Sequence, residues 1–266
     1  MSFQQSPCFR HSLALLAGFA LTGMPTAFAA LSDEVQVYDD SINEPGEIGL
    51  EVHVNRSASG RRQQNYPGEV TPSRGLRVTP EISYGLSHDV DVGLYIPLLF
   101  DSLAASQYAG PKFRAKWLPV RPGEDGGLFL GINWELATVG RRFEEARNGM
   151  EFRPIIGYRQ PEWAVIVNPV LSYDVTKGYR AGGMNFSPAL KLSKTLAAGL
   201  AGGIEYYAEL GKLAHLSPRA EQSHTLYLAI DVDRKPLIFN FGIGRGLNSA
   251  TDKWTLKAIF DFPFGP

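Results

Sequence analysis

The stretch from Gly75 to Leu98, GLRVTPEISYGLSHDVDVGLYIPL, constrains this chain more than any other. In its first half Leu76, Val78, Pro80, Ile82 and Tyr84 share one face, and Arg77, Thr79, Glu81 and Ser83 share the other. In its second half Val90, Val92, Leu94, Ile96 and Leu98 oppose Asp91, Gly93 and Tyr95. A period of two places successive side chains on opposite faces of a strand. The spacer Gly85-Leu86-Ser87-His88-Asp89 joins the halves as an antiparallel hairpin. The pattern recurs along the chain and predicts about twelve strands. They are Glu47–Val54, the two halves of this hairpin, Pro111–Leu118, Leu128–Leu136, Met150–Tyr158, Trp163–Tyr173, Met184–Leu192, Leu196–Ala208, Thr225–Asp231, Leu237–Ile243 and Trp254–Phe262.

The beginning of the chain reads as a secretory signal over residues 1–29. Arg10 and His11 close a basic start, Leu13–Leu21 form a short apolar run, and Ala27-Phe28-Ala29 supplies a cleavage pattern. Cleavage is expected after Ala29 or one residue later. The one cysteine, Cys8, lies inside this signal, so the mature chain has no disulfide and must be stabilised by burial or by a closed sheet. Residues 30–45 read as a solvated, acidic, periplasmic arm carrying Asp33, Glu34, Asp39, Asp40 and Glu44. They lack the glycine and terminal glutamate spacing of a calcium loop. Residues 46–266 form the sheet domain. With 26 basic against 27 acidic residues the chain has no electrostatic footprint for nucleic acid. No apolar run after the signal reaches the ~18 residues of a membrane helix. Any membrane passage is therefore made by strands.

The connections alternate in length. Short turns fall at 85–89, 119–126, 160–162, 193–195 and 232–236, and longer loops at 55–74, 99–109, 137–149, 174–183, 209–221 and 245–252. This is the pattern of an outer-membrane barrel, with both termini on the periplasmic side. Trp117, Trp134, Trp163 and Trp254 fall on the apolar face near strand ends, as do Tyr84, Tyr158, Tyr173 and Tyr206, which reads as an aromatic girdle. Lys112, Arg114 and Lys116 share the other face of one strand. A cation facing lipid costs ~2–4 kcal/mol at the bilayer midplane, so these three point inward. Pro80, Pro154, Pro169 and Pro188 lie mid-strand, and each calls for a bulge or a broken ladder.

The expected fold is an all-β, closed antiparallel transmembrane barrel of about twelve strands. Its expected pore lining is Arg77, Glu81, Asp91, Lys112, Arg114, Lys116, Glu135, Glu151 and Arg153. Arg159, Glu47 and Glu51 share this inward face. Arg114 is expected between two small neighbours, Gly93 on one side and Gly131 on the other. The lining reads either as a charged constriction that selects solutes or as an internal network of ion pairs. Phe129, Ile155, Ile166, Val170, Ile238 and Ile259 also face inward. They either pack the arm as a plug or form an apolar track.

An enzyme would need a nucleophile and base within reach of each other. Of His53, His88, His215 and His224, only His224 lies on the outward face near the outer rim, and Ser223 beside it points the other way. No two histidines have metal-ligand spacing. No cofactor, metal or catalytic residue is expected.

The pieces PEISYGLSHDVDVGLYIPL, GPKFRAKWLP and KAIFDFPF resemble the outer-membrane barrels named for the MetA pathway of phenol degradation, labelled as transporters. The family pattern, YGL with a polar turn and a strand ending in proline, falls on Tyr84-Gly85-Leu86 and Ile96-Pro97. The tail departs from it, with Gly265-Pro266 following Phe264. The resemblance implies passage of small solutes, aromatic ones among them. The expected function is an outer-membrane channel for such a solute through a narrow, charge-lined lumen. The alternative is a closed structural barrel whose outer loops bind a partner or surface. Expected partners are outer-membrane lipid, the solute and the outer-membrane assembly machinery.

Overall fold

The computed structural model describes residues 33–264. The expected signal and the Gly265-Pro266 tail lie outside the described residues. In chain order the strands are β1 (Ile48–Ser59), β2 (Gly75–Ser87), β3 (Val90–Tyr95), β4 (Leu98–Asp101), β5 (Gln107–Tyr108), β6 (Lys112–Val120), β7 (Gly127–Thr138) and β8 (Asn148–Arg159). They continue as β9 (Trp163–Asp174), β10 (Asn185–Ala197), β11 (Leu200–Glu209), β12 (Gly211–Lys212), β13 (His215–Leu216), β14 (Ser223–Arg234), β15 (Leu237–Gly246) and β16 (Trp254–Phe264). Twelve of them form a ring in which every neighbour is antiparallel: β1, β2, β3, β6, β7, β8, β9, β10, β11, β14, β15, β16 and back to β1. The ring closes because β1 pairs on both sides, Val52 lying opposite Pro80 of β2 and opposite Phe260 of β16. Closure leaves no row of unpaired backbone groups, which is the condition for strands to stand in hydrocarbon. No described helix is long and apolar enough to cross a membrane.

The alternation read from the sequence becomes sidedness. Phe113, Trp117, Leu128 and Leu228 are exposed on the outer wall, whereas Lys112, Lys116, Asn133 and Glu135 are buried inside. All four tryptophans stand on the outer wall. A water-soluble fold buries its large apolar side chains and exposes its charges; this barrel does the reverse.

The prolines find their places in the ladder. Pro80 accepts the Ile96 amide at 2.9 Å, at the point where β3 stops and β4 resumes the line after Ile96-Pro97. The β8–β9 register breaks between the pairs Phe152–Leu171 and Ile156–Val167, a gap that holds both Pro154 and Pro169. Pro188 sits one residue beyond the last β10–β11 pair, Ala189–Tyr207. Each missing donor thus faces a gap or an end rather than an intact ladder.

Several expected boundaries shift; β1 runs on to Ser59, β4 runs into the loop expected at 99–109, and β5 lies within that loop. The turn expected at 193–195 lies at Ala198-Gly199, where Gly199 adopts φ +65 and a Cβ would come within 2.2 Å of the Asp233 carbonyl. β10 therefore carries Leu196, which the alternation had assigned to the next strand. The loop between β11 and β14 contains its own small hairpin, β12 with β13.

Candidate functional site

The arm occupies the lumen. It was expected to be solvated, yet Asp33, Glu34, Val35, Val37 and Tyr38 are all buried. The chain rises from the short-turn end, where the Gly46 amide donates to the Gly85 carbonyl at 2.9 Å. Gly85 leaves the arm room to pass, since a Cβ there would lie 2.0 Å from the Glu44 carbonyl oxygen.

Midway up, Val37 and Tyr38 pack against Phe129, Ile155, Ile166 and Ala189 of the wall. Of the two roles open to those inward apolar residues, packing the arm is the one the structure realises for these three. The Asn168 side chain treats Tyr38 as a neighbouring strand would. Its Oδ1 accepts the Tyr38 amide at 2.7 Å and its Nδ2 donates to the Tyr38 carbonyl at 3.0 Å. Asn168 lies in the β8–β9 gap. The Tyr38 hydroxyl donates to Glu34 at 2.5 Å and lies 2.5 Å from the Tyr95 hydroxyl. Its ring meets Arg153, whose guanidinium carbon is 4.5 Å from the ring centre.

The charges expected to line the passage all face inward, and they are engaged. Lys112 pairs with Asp33 at 3.0 Å, with Glu135 at 3.4 Å and with Glu34 at 3.9 Å. Arg114 clasps both Glu81 and Asp91. Lys116 donates to the Ser41 carbonyl. Arg153 pairs with Glu151 at 2.8 Å and donates to the Gln36 carbonyl at 3.0 Å. Arg77 donates to the Phe143 carbonyl at 3.1 Å and stacks over that ring at 3.9 Å. Arg159 joins Asp40 nearer the short turns, with a hydrogen bond of 3.1 Å. Removing one partner from such a buried pair costs about 3–5 kcal/mol, because the other is stranded.

Arg114 does lie opposite Gly93, where a Cβ would come within 2.9 Å of its Nε. Its other neighbour is Glu135, not Gly131. The β6–β7 register sets Trp117 opposite Ile132, four residues away from the expected alignment, and the space beside Gly131 is taken by Leu118.

The inward face holds partners that the sequence did not single out. Lys257 on β16 reaches Glu205 on β11 and donates to the Val35 carbonyl at 3.1 Å. Both alternate with outward apolar residues, so parity alone could have marked them. Asn168 and Tyr38 carry no such signal, because their relation spans 130 residues.

Glu51, His53 and Glu81 bring three donor atoms within 4.8 Å of one another, a spacing a metal could use. Arg114 already occupies Glu81, and His53 Nε2 lies 2.8 Å from Glu51, so the three read as links in the ion-pair chain. His224 faces out and pairs with the Tyr206 hydroxyl at 2.7 Å.

Above the arm, toward the long loops, lies a cavity of about 510 Å³. Its floor is Asp33–Gln36 of the arm, and its walls include Val170, Ala189, Tyr207, Ser223 and Tyr227. One side is covered by the loop before β8. There Val139 and Phe143 pack against Val70, Leu99 and Ala109. Burial pushes the Glu144 carboxyl of that loop up to about 7; Asp33 adds to the shift, and Lys112 and Arg77 oppose it.

No family model matches the sequence, and no curated protein matches it. The fold is shared with solved structures. An outer-membrane channel from Pseudomonas putida F1 superposes with a TM-score of 0.62 at 13% identity, covering 87% of this chain and 100% of that one. The KdgM porin superposes with a TM-score of 0.51 at 9% identity, covering 82% of this chain and 99% of that one. At these identities the likeness is one of architecture: a closed antiparallel barrel of the outer-membrane type.

Proposed function

We propose that this chain is an outer-membrane channel through which a small solute diffuses, with the Asp33–Glu44 arm setting whether the passage is open. The observation that carries this reading is the cavity that ends on the arm inside a barrel with apolar walls outside and charges within. A protein with that sidedness needs hydrocarbon around it and water at its centre. In this reading the long loops face outward, and the short turns and both chain ends face the periplasm. The signal over residues 1–29 is removed on export, and the assembly machinery inserts the barrel into outer-membrane lipid. Arg77, Glu81, Asp91, Lys112, Arg114, Lys116, Glu135, Glu151 and Arg153 become the pore lining once the arm shifts. The family resemblance and the apolar patch of Val170, Ala189 and Tyr207 favour a solute with an aromatic or aliphatic body. The chain has no catalytic role in this reading.

A second reading has its own observation in favour: the lumen charges are already paired with the arm and with each other. A closed barrel whose outer loops bind a partner would look the same. Planar-bilayer conductance separates the two. Deleting residues 33–44 should raise single-channel conductance several-fold over the intact chain. Should the deletion fail to assemble, Tyr38→Ala removes the arm's central anchor and leaves the wall whole. If neither variant conducts more than the parent, the channel reading falls and the closed barrel stands.

A further inference from the structure

We propose that the cavity above the arm is a binding site for a small organic cation, with an ammonium group at its rim and an apolar body below. The inference rests on the cavity being the solute's way in, as proposed above.

The argument begins with charge. The bases that border the cavity are Arg77, Lys112 and Arg153, and each is already committed to a partner. Nearer the long loops Asp174 pairs with Lys212 at 4.0 Å, but other carboxylates there are not committed. Glu209 and Glu221 line the cavity with no lysine or arginine within ion-pair distance among the described residues. Asp252, which also lines it, accepts only from the Ser57 hydroxyl and the Arg61 backbone amide. Deeper in the lumen Glu81, Asp91, Glu135, Glu151 and Glu205 each have a base, whereas Glu209 and Glu221 have none among the described residues. An excess of one sign in a low-dielectric recess raises the local concentration of the opposite ion.

The second observation is a hydroxyl. Ser223 is 6% exposed and lies directly across the strand pair from Glu209. It borders the cavity, and its Oγ has no hydrogen-bond partner among the described residues. A buried hydroxyl facing open space beside a free carboxylate forms a two-acceptor corner for an N–H donor.

The third is what lies beneath. Tyr207 sits two residues below Glu209 on the same face of β11, with Tyr227 edge-on to it at 5.4 Å between ring centres. Ala189 lies directly beside Tyr207 on β10, and Val170 lies one strand further round on β9. A cation with an aromatic or branched body would place its charge at Glu209 and Ser223 and its carbon skeleton against these groups. A volume of about 510 Å³ suits a ligand of that size.

The test measures binding rather than passage. Detergent-solubilised barrel is titrated by calorimetry with phenethylammonium, with the neutral alcohol of the same carbon skeleton, and with phenylacetate. The ammonium should bind about tenfold more tightly than the alcohol, and the carboxylate more weakly than either. The double variant Glu209→Gln, Glu221→Gln should erase the advantage of the ammonium and leave the alcohol unchanged. Neither side chain holds another part of the barrel, and heat-modifiable gel mobility confirms assembly. If phenylacetate binds as well as the ammonium, or the double variant keeps the preference, the proposal is wrong. Planar-bilayer conductance of the arm variants reports on the channel reading separately, so each idea fails by its own measurement.

Discussion

At the scale of single residues the lumen is a set of buried charges that tolerate one another only in pairs. Glu144 shows the cost where pairing is incomplete. Burial raises its carboxyl to about 7, so the folded barrel holds that proton more tightly than the unfolded chain does. Between about 4.5 and 7 the unfolded state has lost the proton while the folded state keeps it, and stability falls as pH rises through that window. Glu144→Gln should flatten this dependence, gaining of the order of 1 kcal/mol over the parent above pH 7 and little below 4.5. Urea unfolding midpoints followed by tryptophan emission across that range check it; a parallel pH profile in parent and variant would show that Glu144 does not titrate there. Arg114 is the opposite case, one guanidinium closing on two carboxylates, with room for it provided by Gly93.

At the scale of elements the arm and the β8–β9 gap belong together. Two prolines open the ladder, and the asparagine in that opening hydrogen-bonds the arm's backbone as a strand would. Asn168→Ala should leave the Tyr38 amide and carbonyl unpaired at a cost of ~1–3 kcal/mol. The wall itself should stay intact. Limited proteolysis should then cut within residues 33–45 sooner than in the parent, while the barrel fragment persists; equal resistance would mean that the arm is held elsewhere. The strands were legible because period two survives any detail of packing: Leu76 to Tyr84 announces its faces without knowing its neighbours. The arm was not. Val35 and Val37 are too brief a run to read, and their acidic flanks suggest water to anyone who cannot see Lys112 and Arg153 waiting inside the ring. The register beside Arg114 was hidden for a different reason, since alternation gives the face of a residue but not which residue of the next strand stands opposite it.

At the scale of the whole molecule the reading depends on which solvent meets which wall. Trp117, Trp134, Trp163 and Trp254 all stand on the outer surface. In vesicles of brominated lipid most of the tryptophan emission should be quenched; emission that survives would place those rings away from hydrocarbon. The inward position of the arm has one further consequence, for what the chain can carry in front of it. The arm enters from the short-turn end beside β1, so Asp33–Ser41 can be drawn along the inside either before the β1–β16 seam closes or after it. A folded tag fused ahead of Asp33 would be too wide to follow the arm into the lumen, whereas the same tag placed in a long loop would leave the arm's entry untouched.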